Sequence, residues 1–259
     1  MRSNRSLEVV PAILAKSEEE FREKLRLIEH EAKLVQIDVM DGEFVPNTTW
    51  ADPLVVARIK TPTHFEVHLM VKEPFREVIL WGKLKNVRRT IVHAESCPDR
   101  SVGATTKLRT LLHTIRATGK EVGLAVNPGT PLTKVYPFLS PHPLKLPLPE
   151  GGGEKNNFPP SHREGGRGRV GQPSVDFLLV MGNDPGFSGR PFRRATLKRI
   201  STLRKQFPKL PIGVDIGVDL TTAPLLRRAG ATHIAAASAV FGAKDPVTAY
   251  RALVRAFRA

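Results

Sequence analysis

Short β-rich runs alternate with longer amphipathic runs along nearly the whole chain, and this alternation restricts the fold more than any other feature. Periodicity and turn residues predict strands over 7–14, 34–39, 64–70, 90–93, 121–126, 175–181, 211–215 and 233–236. Helices are predicted over 18–30, with Phe21, Leu25 and Ile28 on one face, and over 53–59, 74–81 and 105–118, the last ended by Gly119. Further helices are predicted over 131–139, 193–207, 220–229 and 246–257, with Gly230 closing the third of these. Eight strand–helix units in 259 residues imply an α/β fold of the closed (β/α)8 (TIM) barrel type. The competing doubly wound open sheet would need a glycine-rich turn after the first strand to hold a dinucleotide, and the chain has none there.

One segment breaks the alternation. Residues 140–173 carry prolines at 141, 143, 147, 149, 159 and 160, the triplet Gly151-Gly152-Gly153, and the run Gly165-Gly166-Arg167-Gly168-Arg169. Such a composition buries too little apolar surface to offset its ordering entropy, so a disordered insertion between the fifth helix and the sixth strand is predicted. The barrel domain is therefore expected over 7–259, interrupted at 140–173. That connection belongs to the face of a barrel opposite its active-site end.

With 41% apolar residues the chain has material for a full core, which excludes wholesale disorder. No apolar run reaches the roughly 18 residues of a membrane helix, and Met1 to Ser6 carry no apolar signal stretch. Cys97 has no partner cysteine, so an intrachain disulfide is excluded and a reducing, cytoplasmic setting is expected. The net charge of +15 raises the question of nucleic acid. The basic residues are dispersed, however, and solvated helix faces are the simpler reading; the field also attracts small anions.

In such a barrel, function sits at the C-terminal ends of the strands. Strand side chains alternate, so Gln36 and Asp38 share the inner face while Ile37 and Val39 point to the helices. A carboxylate flanked by apolar residues on a buried strand is costly unless it is paired or ligates a metal. Asp215, behind Ile212 and Val214, meets the same condition, and His68 on the third strand stands between the two. Two inward carboxylates and a histidine suit one metal or one substrate carbon. The bland alternative is that each is a strand-edge residue satisfied by backbone amides.

The run Asp38-Val39-Met40-Asp41-Gly42-Glu43-Phe44-Val45-Pro46-Asn47 resembles the signature of the ribulose-5-phosphate 3-epimerase family. His68-Leu69-Met70-Val71, His93-Ala94-Glu95, Asn127-Pro128-Gly129-Thr130, residues 181–189 and residues 223–246 resemble it too, in the same order. The resemblance implies a barrel that inverts carbon 3 of a ketopentose phosphate through an enediolate, with Asp38 and Asp215 as the acid–base pair. It implies a divalent metal (zinc, manganese, iron, cobalt or magnesium) on Asp38, His68, Asp215 and the residue at position 36. It further implies an apolar wall of Met40, Met70 and Met181, with core packing as the plain alternative. The phosphate would lie on backbone near Gly186, Phe187, Ser188, Gly189, Gly217 and Ser238. Members of the family are commonly oligomers, and no interface is legible here.

The chain departs from the pattern at informative places. Gln36 replaces the first metal-binding histidine, and a neutral amide oxygen is the weaker ligand. Ala12 replaces a serine of the first strand. Ser188, Ile216 and Ala237 replace glycines, each adding a side chain where backbone must approach phosphate or take positive φ; β-branched Ile216 is the most severe. Arg190 replaces a glutamine and is expected either to add positive charge or to face solvent. Residues 182–190 are expected to form a lid. Asp38-Val39-Met40 contains no lysine, which sets aside the lysine–aspartate mechanism of related decarboxylase and synthase barrels. Three readings remain: an epimerase of a pentulose phosphate (or a hexulose phosphate), a non-catalytic sugar-phosphate binder, and a weak nucleic-acid binder.

Overall fold

The computed structural model describes residues 7–97, 103–139 and 175–259. Eight strands close into a fully parallel barrel in sequence order: β1 (Glu8–Ile13), β2 (Leu34–Met40), β3 (His64–Met70), β4 (Val87–His93), β5 (Glu121–Val126), β6 (Phe177–Met181), β7 (Ile212–Asp215) and β8 (His233–Ala236). Closure is made by β8 pairing in parallel with β1, Glu8 opposite His233 and Pro11 opposite Ala236. The residues expected to form the insertion, 140–173, lie outside the described residues, between the fifth and sixth strands in chain order. Among the described residues no helix is long and apolar enough to cross a membrane.

The helices on the outside are α1 (Glu18–Ile28), α2 (Pro53–Val56), α3 (Phe75–Gly82), α4 (Gly103–Ala117), α5 (Tyr136–Leu139), α6 (Ala195–Gln206), α7 (Ala223–Ala229), α8 (Ser238–Phe241) and α9 (Pro246–Arg258). Local chemistry starts and stops them. Ser17 Oγ accepts the amide of Glu20 at the head of α1, and Asp245 caps α9 just ahead of Pro246. Gly230 ends α7 in the left-handed region at φ 110°. Outward strand residues such as Ile37, Val67, Leu124 and Val180 pack with Phe21, Leu25 and Ile28 of α1 and their equivalents in one core between barrel and helices. Inward residues Ile91, Ala125, Phe177, Leu179 and Met181 form a second core inside the barrel.

Three elements differ from expectation. The helix expected over 131–139 is a 3₁₀ turn, Leu132–Lys134, followed by the four-residue α5 with Pro137 as its second residue. The helix expected over 220–229 begins only at Ala223, because Asp219 Oδ1 accepts the amides of Thr221 and Thr222 in a turn that precedes it. The fourth strand starts at Val87 instead of residue 90. Its register shifts between Phe65–Val87 and Glu66–Arg89, so Arg88 faces out while Arg89 turns into the barrel.

At the N-terminal end of the barrel, Arg89 and Glu66, each 2% exposed, form an ion pair of 2.7 Å. Glu8 lies nearby, with the ring nitrogen of His233 2.9 Å from its Oε2 and the Arg88 guanidinium at 3.3 Å from Oε1. His233 is the main cause that lowers the Glu8 carboxyl from 4.5 to about 2, burial opposing it and Arg88 assisting. A depressed carboxyl stabilises the fold fully above the unfolded value and loses that contribution as the pH falls through the folded one. Wild type is therefore expected to exceed Glu8→Gln by about 2–3 kcal/mol near neutral pH, an amount discounted for partial exposure. The gap should close between pH 4.5 and about 2 in melts compared across that range. A gap independent of pH would show that the carboxylate charge is not its source.

Candidate active site

The inner face of β2 presents Gln36, Asp38 and Met40, and in-register pairing sets them beside Glu66, His68 and Met70 of β3. β7 brings Asp215 alongside Met181 of β6. Ring closure through β1 and β8 then points β2 and β7 at one spot. Asp38, His68 and Asp215 are all buried and place ligand-type atoms within 4.8 Å of one another. His68 Nδ1 lies 3.2 Å from Asp38 Oδ1 and 3.3 Å from Asp215 Oδ2. The second oxygen of Asp215 accepts the backbone amide of Ile216 at 2.7 Å, which fixes the carboxylate plane.

Electrostatics at this spot follow from burial and crowding. Burial raises the Asp38 carboxyl above the usual range; the His68 hydrogen bond works against this and the Asp215 charge adds to it. For His68 burial disfavours the charged ring, but Asp215 and Asp38 outweigh it and the net shift is upward. Two carboxylates and one imidazole are a donor set that can hold a divalent cation. At position 36 a ligand oxygen was expected, yet the atom turned toward the group is the amide nitrogen, Nε2, 2.8 Å from Asp38 Oδ1 and 3.0 Å from Asp215 Oδ2.

A cavity opens above the carboxylates. Its wall includes the residues expected to face substrate and phosphate: Met40, Met70 and Met181, then Gly186, Phe187, Ser188 and Gly189 after β6, Gly217 after β7 and Ser238 after β8. His68 and Gln36 are fully buried behind that lining. Two loops meet beside it, where Asn47 Nδ2 donates to the Gly186 carbonyl at 2.6 Å. Gly182 permits the close seam between β6 and β7, because a Cβ there would lie 2.1 Å from the Ile216 carbonyl oxygen.

Of the three residues standing where glycines were expected, only Ile216 takes positive φ, at 73°. Ser188 and Ala237 do not, so the strain expected of all three is confined to Ile216. Arg190 holds its guanidinium 5.0 Å from the centroid of the Phe187 ring and does not line the cavity. His93 and Glu95 stand in the sequence as a motif with no assigned task. Their place is behind His68, whose Nε2 lies 2.8 Å from His93 Nε2, with His93 Nδ1 3.5 Å from Glu95 Oε2. Glu95 in turn accepts the Asn127 amide at 3.0 Å and the Thr130 hydroxyl. Alternation along β4 was the available signal, since His93 shares the inner face with Ile91.

The model of the ribulose-phosphate 3 epimerase family matches residues 8–144 and 170–241. The cytoplasmic isoform of ribulose-phosphate 3-epimerase from Oryza sativa subsp. japonica is 30% identical over 222 residues, 85% of this chain and 81% of its own length. Ribulose-phosphate 3-epimerase of Bacillus subtilis is 29% identical over 92% of this chain and 94% of its own. Among solved structures, 3-hexulose-6-phosphate synthase from Salmonella typhimurium superposes with a TM-score of 0.63 at 14% identity, covering 97% of this chain and 99% of its own, which shows the shared barrel alone. The chain belongs to the ribulose-phosphate 3 epimerase family.

Proposed function

We propose that the protein is an isomerase that inverts carbon 3 of a ketopentose phosphate, interconverting D-ribulose 5-phosphate and D-xylulose 5-phosphate. The observation that carries this reading is the meeting of Asp38 from β2 and Asp215 from β7 in one buried site at the foot of a cavity. Epimerisation through a planar enediolate needs one group to remove the C3 proton and another to return one from the far face. Two carboxylates on strands β2 and β7 suit that task, each protonated and deprotonated in alternation.

The rest of the wall suits the rest of the substrate. Met40, Met70 and Met181 offer a polarisable apolar surface to the flat intermediate. Backbone near Gly186, Ser188, Gly189, Gly217 and Ser238 faces the same cavity and is suited to the phosphate, with no charged side chain in the lining on that side. A divalent ion on Asp38, His68 and Asp215, whether zinc, manganese, iron, cobalt or magnesium, would supply Lewis-acid polarisation of the ketone and offset enediolate charge. The 182–190 and 41–48 loops border the cavity and are suited to close over bound substrate, which would exclude solvent from the intermediate.

The test is incubation with D-ribulose 5-phosphate in deuterated water, with and without added divalent ions. Conversion to D-xylulose 5-phosphate with one solvent deuterium at C3 is expected. Neither conversion nor exchange with either epimer would overturn the assignment and leave a sugar-phosphate binder.

A further inference from the structure

Gln36 is the buried group that the acid–base scheme does not use. Its side chain is 0% exposed, and Nε2 sits 2.8 Å from Asp38 Oδ1, 3.0 Å from Asp215 Oδ2 and 3.4 Å from His68 Nδ1. These are the same three residues whose ligand-type atoms form the cation-competent group. A carboxamide nitrogen has two hydrogens, one for each carboxylate. The Gln36 carbonyl oxygen, by contrast, is buried without a hydrogen-bond partner. Turning the amide over would set that oxygen against two anionic oxygens, so electrostatics dictates that nitrogen points inward.

We propose that the Gln36 amide is a built-in occupant of the cation seat, which holds the two carboxylates together without a metal and which a divalent ion must displace to bind. It competes with the ion instead of ligating it. The inference deepens the reading given above, since the two carboxylates are the proposed acid–base pair. Its readout is metal binding, so its failure and that of the epimerase assignment are separable.

The discriminating variant is Gln36→Leu, which removes both the donor and any ligand oxygen. Metal-free protein would be titrated calorimetrically with Zn²⁺ and with Mn²⁺, and the bound metal counted by mass spectrometry. The leucine variant is expected to bind at least about tenfold more tightly than wild type, roughly 1.4 kcal/mol, because no amide hydrogen bonds have to be broken. Equal or weaker binding by a folded variant would overturn the proposal and return Gln36 to the role of ligand or bystander.

A measurement on wild type covers the case of a variant that fails to fold. The chain has only three glutamines, Gln36, Gln172 and Gln206, so selective ¹⁵N labelling gives three side-chain amide pairs. In metal-free protein one pair should be protected from solvent exchange and lose that protection as Zn²⁺ is added to saturation. Three freely exchanging pairs in folded, metal-free protein would overturn the proposal.

Discussion

Asp38→Asn and Asp215→Asn should each lower kcat for epimerisation by about 10²–10⁴-fold with the fold intact, judged by unchanged far-ultraviolet circular dichroism. Each substitution keeps shape and one acceptor oxygen while removing the group that carries the proton. Asparagine at 38 still accepts the Gln36 amide, and asparagine at 215 still accepts the Ile216 amide while giving up the Gln36 contact to Oδ2. The finer expectation separates two bases from one. With a base on each face, each variant keeps residual C3–H exchange with one epimer and loses it with the other, and the two variants lose opposite epimers. Loss with both epimers in one variant and neither in the other would show that a single carboxylate does the chemistry.

Arg89→Met should cost about 3–5 kcal/mol of stability, read from urea midpoints, while the active-site end of the barrel is left in place. Arg89 is 2% exposed, pairs with Glu66 at 2.7 Å, and reaches Glu121 Oε2 from Nε at 3.0 Å and Nη2 at 2.8 Å. Its guanidinium also lies 3.8 Å from the centroid of the Phe177 ring. Removing it leaves Glu66 as a buried carboxylate, whose pKa burial already pushes upward against the pull of Arg89. The penalty comes mainly from that orphaned charge, so Arg89→Met combined with Glu66→Leu should recover most of the loss. A double variant no more stable than the single one would place the cost in lost packing against Phe177.

The origin of that ion pair shows where sequence reading stops. Arg88 and Arg89 read as solvated charges ahead of a short strand; the register shift beside Phe65 and Glu66 turns one of them inward and lengthens β4 to seven residues. Similarly, His93 stood out in the sequence as part of a motif, but its role as the neighbour of His68 depends on two strands meeting at a given height. The 131–139 segment reads as one helix begun by a proline, and Pro137 inside it breaks that helix into a 3₁₀ turn and a short α5.

By itself the sequence determined the barrel, the strands that build it, and the inward face of Gln36, Asp38, His68 and Asp215, because a period of two assigns each side chain to a face with no knowledge of its neighbours. Tertiary structure alone decided that β2 and β7 aim at one point, that Gln36 turns its nitrogen and not its oxygen to the carboxylates, and that of Ser188, Ile216 and Ala237 only Ile216 takes the left-handed conformation. Those three depend on ring closure and on fields from distant strands, and local pattern carries no information about either.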